Sequence, residues 1–284
     1  MTIVSRVQKK KTAVSMAIFV ILAGSVAGVY LANRTPSSSS LTSRSAANVI
    51  NSNAPASQVV GSRLQEAISN ARSKLPCVNS DLAMINAKGI SGNVAGLGVS
   101  GLEIAETMNS FEITVLEPKM LKAMQTAPAG ESISKVETSV INSIIGNDGT
   151  YLDEALSNTV LDMMLLSYAK ATGREVPYAQ AQAQADKNWA EYVKSGSPPL
   201  RLMNGKTAKD QFDSPAAVRA LQDGLTIAKM RNQIGGPQYG SQGQNNQRPA
   251  FVAWMTANLN KYHVTIHNSP VPISELPKYL PAMM

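Results

Sequence analysis

The stretch 150-TYLDEALSNTVLDMMLLSYAKATG-173 decides the fold class. Leu152, Leu156, Val160, Met163 and Leu166 recur at three-to-four spacing, which is one face of an amphipathic helix. Thr150 and Asp153 have the spacing of a capping box, with a hydroxyl for an orphan amide and a carboxylate reaching back. Gly173 suits the left-handed conformation that ends a helix. Two more helices are expected after it. In 176-VPYAQAQAQADKNWAEYVKSG-196, Pro177 fits a first helical position, and Tyr178, Ala181, Ala185, Trp189 and Tyr192 form a stripe. Gly196 and Pro198 stop it. In 213-DSPAAVRALQDGLTIAKMRNQIGG-236, Ser214 caps, Pro215 opens, Val218, Leu221, Leu225 and Ala228 make the buried face, and Gly235 and Gly236 end the helix. Three capped helices with matched stripes should pack as one unit.

Outward from this block, the N-terminus reads as an address. Residues 1–34 hold Arg6, Lys9, Lys10, Lys11 and Arg34 and no acid, so the excess charge behind the pI of 9.4 sits there and the rest of the chain is close to neutral. That distribution does not support a nucleic-acid footprint. Lys11 and Arg34 bracket 22 uncharged residues, 12–33, long enough to span a hydrocarbon core. With the basic residues ahead of the span, 1–11 is expected in the cytoplasm, 12–33 as a single-pass anchor in the plasma (inner) membrane, and the body outside. A cleaved signal peptide, with Ser25-Val26-Ala27 as its small-x-small site, is the alternative; it exports the body equally. Residues 34–57, rich in Ser, Asn, Ala and Pro, read as a flexible stalk.

In the body, 58–267, a helix is expected over Val59–Leu75 from Leu64, Ile68 and Ala71. The glycines at 92, 96, 98 and 101 read as a surface turn or insert. They fit the dinucleotide pattern G-x-G-x-x-G only in part, because the third glycine comes one residue early, and no Lys-Ser/Thr follows. The stretch 111-FEITVLEP-118 alternates Phe111, Ile113 and Val115 with Glu112 and Thr114, the pattern of a half-buried strand ended by Pro118. A helix follows over 131–146. Pro249 opens another helix with Phe251, Trp254 and Leu259 near one face, and 261-KYHVTIHN-268 alternates as a strand. The tail, 268–284, is Pro-rich and reads as extended.

Catalytic signatures are lacking. His263 and His267 are four apart, which on a helix would suit zinc, but their stretch alternates as a strand and no H-E-x-x-H motif is present. There is no G-x-S-x-G elbow. Asp153 and Glu154 suit a helix N-terminus. Catalytic, cofactor-binding and metal-binding residues are therefore not expected. Cys77, the lone cysteine, reads as a buried or unpaired thiol, or as a link to a second copy in a homodimer.

The order of elements resembles the N-terminal chaperone domain of the SurA-like and PrsA-like foldases. Leu82-Ala83-Met84-Ile85-Asn86-Ala87-Lys88-Gly89-Ile90-Ser91 resembles that family's strand-turn opening, of the form Val-Ala-x-Val-Asn-Gly-x-x-Ile-Thr. Tyr151–Gly173 resembles its acidic, Leu-rich helix ending in Ala-Lys-x-x-Gly, and Arg174-Glu175-Val176-Pro177 its extended step into the next helix. Ser214–Gly235 resembles the helix before the isomerase module. Trp254–Ile266 resembles the closing helix and strand, which in the family pair with the opening strand. Ala87 stands where the turn usually has Gly, and residues 91–149 intervene before the next family helix. Between Gly236 and Pro249 only about a dozen polar residues occupy the place of a parvulin module, too few to bury a core.

The fold expected is mainly α (α+β), with a small two- or three-stranded sheet from the Ala83 and Phe111 regions and the Val264 strand. The resemblance implies a membrane-anchored extracytoplasmic chaperone that binds unfolded or extended polypeptide without catalysis. Met163, Met164, Met203, Tyr178, Trp189, Tyr192 and Trp254 are the candidates for its apolar groove, because thioethers and rings adapt to varied clients. The alternatives are an envelope protein with one specific partner and, lacking its module, a peptidyl-prolyl isomerase.

Overall fold

The computed structural model describes residues 62–194, 209–236 and 247–281, with the residue pairs 239–240 and 243–244. The basic segment, the expected anchor, the stalk and Met203 lie outside these residues. Among the described residues no helix is long and apolar enough to cross a membrane.

The body is mostly helical with one small three-stranded antiparallel sheet. In chain order it runs α1 (Ser62–Lys74), α2 (Val78–Lys88), β1 (Ser91–Val94), β2 (Leu97–Val99), α3 (Gly101–Thr126), α4 (Ile133–Ile145), α5 (Asp148–Ala171), α6 (Tyr178–Lys194), α7 (Pro215–Gly235), α8 (Arg248–Asn258) and β3 (Thr265–His267). A helical turn at Asp210–Asp213 precedes α7, and 3-10 turns lie at Leu259–Tyr262 and Ile273–Tyr279. Tyr239–Gly240 and Gly243–Gln244 form a two-residue ladder.

The helix of the deciding stretch, α5, is the centre of the molecule. Its expected face is buried at Leu152, Leu156, Val160 and Leu166, but so are Ala155, Ser157, Leu161, Met164, Leu165 and Ala169. A helix apolar on nearly every side has to be surrounded. Here α3, α7, α8, the sheet and the C-terminal 3-10 turn surround it. It begins earlier than the expected capping box: Asp148 opens α5, so Thr150 sits inside the first turn, and the N-cap Asn147 makes no side-chain capping bond. Gly173 does take positive φ, +65°.

Three expected elements differ. The Ala83 region is helical, not a strand: Gly89 takes φ +64°, and the amides of Gly89 and Ile90 bond back to Asn86 and Ile85, a Schellman closure of α2 rather than a strand turn. The Phe111 region lies inside α3. The alternation over 111–118 spans too few residues to see the longer run Ile104, Met108, Glu112, Leu116, Met120 and Met124, all buried and spaced by four. Pro118 is tolerated inside α3 because it and Thr114, whose carbonyl it leaves unbonded, both face solvent. The Pro-rich tail is not peripheral: Val271, Leu276, Pro277 and Leu280 are buried, and the Ser157 hydroxyl donates to the Leu276 carbonyl at 2.6 Å.

The stretch read as a glycine insert builds the sheet and starts α3. Ala95 (φ +51°) and Gly96 (φ +89°) make the two-residue hairpin turn between β1 and β2, with the dihedral signs of a type I′ turn. Ser100 then closes a full capping box with Glu103. β1 is the middle strand, pairing with β2 through Gly92–Val99 and with β3 through Gly92–Ile266 and Asn93–Thr265. Gly92 has no room for a side chain, because a Cβ there would collide with Ile266 and the Thr265 carbonyl. The last strand therefore closes on the opening hairpin, not on Met84–Ile85.

Helix α7 joins two parts. Its first half packs Val218 and Leu221 against Ala181 and Ala185 of α6 in a small separate cluster, while Met230 joins the main core. Ala228, expected inward, is exposed; Thr226 and Met230 take the inward places. The Thr226 hydroxyl accepts from the Val176 amide at 3.0 Å and Gln222 donates to the Val176 carbonyl at 2.8 Å, stitching the extended step before α6 onto α7. Arg231 donates to Asp162 at 2.8 Å and to Asn158 at 2.7 Å, tying α7 to α5.

Candidate functional site

The six described groove candidates do not line one surface. Met164 is fully buried in α5 and faces no groove. Met163 and Trp254 are partly buried against the main core. Trp254 is held between Tyr168, edge-on at 6.0 Å, and Tyr262 at 6.1 Å, with the Arg174 guanidinium 5.5 Å over Tyr168. Tyr178 is exposed at the start of α6, roughly 20 Å along the helix from Tyr192 by the rise per residue.

Trp189 and Tyr192 do come together. They stack at 5.6 Å on the last turns of α6, and Phe212, from the helical turn before α7, closes on both at 5.5 and 5.4 Å. All three rings are half-buried, and Val193 beside them is 58% exposed. The spacing 189–192 follows from the helical step of three, and Ser214, capping α7 through the Ala217 amide at 3.3 Å, fixes where Phe212 must sit. Aromatic clusters with one wet side are what polypeptide-binding surfaces use, since rings cover large area at little entropic cost. Phe212 was missed because 209-KDQFD-213 carries no stripe of its own.

A second cluster lies inside the body. Glu112 of α3 is 0% exposed and neither of its carboxyl oxygens has a hydrogen-bond partner. Asp81, in the first turn of α2, and Asp148, in the first turn of α5, each leave one buried oxygen unbonded. Burial, and then the charges of Asp81 and Asp148, push the Glu112 carboxyl up to about 8. Burial and Asp148 push Asp81 up to about 6, and burial raises Asp148. The sequence carries a signal for this: Glu112 interrupts the four-step apolar run of α3, a position the strand reading assigned to solvent.

His263 and His267 are exposed, and among the described residues no group of three or more His, Cys, Asp and Glu is disposed to hold a metal ion. Cys77 is exposed rather than buried, unpaired, and 3.4 Å from the Ser80 hydroxyl; that contact and the amides of the first turn of α2 lower its pKa. No protein-family model, curated protein or solved structure matches the chain.

Proposed function

We propose that this chain is a membrane-anchored extracytoplasmic protein that binds extended or unfolded polypeptide segments in the manner of a chaperone, without catalysis of its own. The half-exposed Trp189–Tyr192–Phe212 cluster carries the reading, as the place where aromatic surface is gathered rather than absorbed into the core.

The same compactness favours a second reading, one specific partner in the envelope, because three rings at one end of a helix pair recognise a short apolar feature rather than a long client. An exposed Cys77 leaves a disulfide-linked pair of chains within this proposal. The test is aggregation suppression of an unfolded model protein by the full chain in lipid nanodiscs. Suppression at several-fold excess, lost in the Trp189→Ala, Phe212→Ala double variant, is expected; no suppression refutes the chaperone reading. Photo-cross-linking from position 192 in cells then separates the two readings, by many captured polypeptides or by one.

A further inference from the structure

We propose that Asp81, Glu112 and Asp148 form a proton-held latch: α2, α3 and α5 close fully only while this cluster retains protons, and losing them loosens the three helices. The geometry has two parts. Asp81 and Glu112 are buried and Asp148 is half-buried, each on a different helix, and the most deeply buried, Glu112, has no hydrogen-bond partner on either oxygen. Among the described residues none of the three forms an ion pair with Lys, Arg or His. From α2 the charged neighbour is Asp81, and from α5 it is Asp148, with the Tyr151 phenol close enough to feel both Glu112 and Asp148. From α1 and α4 the charged side chains at the packing faces are Lys74 and Glu137, which are spent on each other at 3.0 Å. Lys88, at the end of α2, acts on Asp153 instead. A buried carboxylate without a partner is costly, so the closed state favours the protonated form.

The direction follows by linkage. The folded carboxyls titrate above their unfolded values near 4, so between those values and about 8 the folded chain binds more protons. This contribution to stability is full below about pH 4 and is lost progressively as pH rises, through about 6 for Asp81 and up to about 8 for Glu112. Charge on Asp148 raises Asp81, and charge on both raises Glu112, so each proton lost makes the Glu112 proton harder to remove.

The test is thermal unfolding of the full chain from pH 5.5 to 9, with hydrogen exchange of α2 and the first turns of α5. The midpoint is expected to fall by at least about 5 °C over that range. Exchange in those segments should rise beyond the chemical effect of pH. Glu106, raised to about 7 by burial and Glu103, leaves some slope in any variant, so the readout is the difference from wild type. Glu112→Gln should remove most of the fall, and Asp148→Asn part of it. Slopes parallel to wild type in both variants would overturn the proposal. So would stabilisation of wild type at pH 9 by millimolar calcium or magnesium that Glu112→Gln abolishes, since the cluster would then belong to a cation.

Discussion

Substituting Leu276 tests whether the C-terminal segment belongs to the cooperative fold. Leu276 is 0% exposed, in a segment whose composition suggests an extended tail. Its carbonyl accepts the buried Ser157 hydroxyl at 2.6 Å. Arg248 at the start of α8 donates to the carbonyls of Leu280 at 2.7 Å and Lys278 at 2.8 Å, pinning the same segment from the other side. Leu276→Ala removes a fully buried isobutyl group against α5, which costs about 2–5 kcal/mol depending on how far the site collapses. Against a total of about 5–15 kcal/mol that is a large fraction. At about 2–4 °C per kcal/mol for a body of this size, the midpoint should fall by about 4–20 °C. Ser157→Ala leaves the Leu276 carbonyl buried without its donor and should cost about 1–3 kcal/mol. The two sites touch, so the double variant should cost less than the sum. The assay is thermal and urea unfolding of the full chain followed by circular dichroism. If Leu276→Ala stays within about 1 kcal/mol of wild type, or if ending the chain after Asn268 leaves the midpoint unchanged, the segment is not part of the cooperative unit.

Two further outcomes concern the sheet. Gly92→Ala places a methyl group against the Thr265 backbone and Ile266, so β3 must shift; a loss of at least about 2 kcal/mol is expected in urea unfolding, by the cost of overpacking. Ala95 holds φ +51° in the hairpin turn, a conformation that asparagine tolerates better than alanine, so Ala95→Asn should stabilise by about 0.5–1 kcal/mol and raise the midpoint accordingly.

Helix content was legible because its signals are local. Ser214 and Pro215 open α7 where expected, Pro249 lies in the first turn of α8, and Gly173 turns left-handed after α5. Gly89 shows the limit of the same reasoning. A glycine with positive φ serves a strand turn or a helix C-cap equally, and only the bonds to Asn86 and Ile85 decide between them. Phe111–Pro118 shows the limit of a short window, since eight residues can alternate by chance while the run from Ile104 to Met124 holds the helical period. The Val94–Ser100 hairpin was readable in principle, from a glycine turn followed by a Ser-x-x-Glu capping box.

The candidate surface divides along the same line. The stripe 178–192 is a property of the chain, but which of its rings stay wet depends on what packs beside them. Phe212 reaches Trp189 and Tyr192 only because α7 folds back on α6. Met164 leaves the surface because its side of α5 is covered by the packed helices. Caps, turns and apolar periods depend on residues a few positions apart, so α5 and its flanking helices follow from the amino-acid order alone. The burial of Glu112 among Asp81 and Asp148, the seating of Leu276 on α5 and the pairing of Thr265 with Asn93 join residues more than thirty positions apart. The free energy of those contacts exists only once the helices have met.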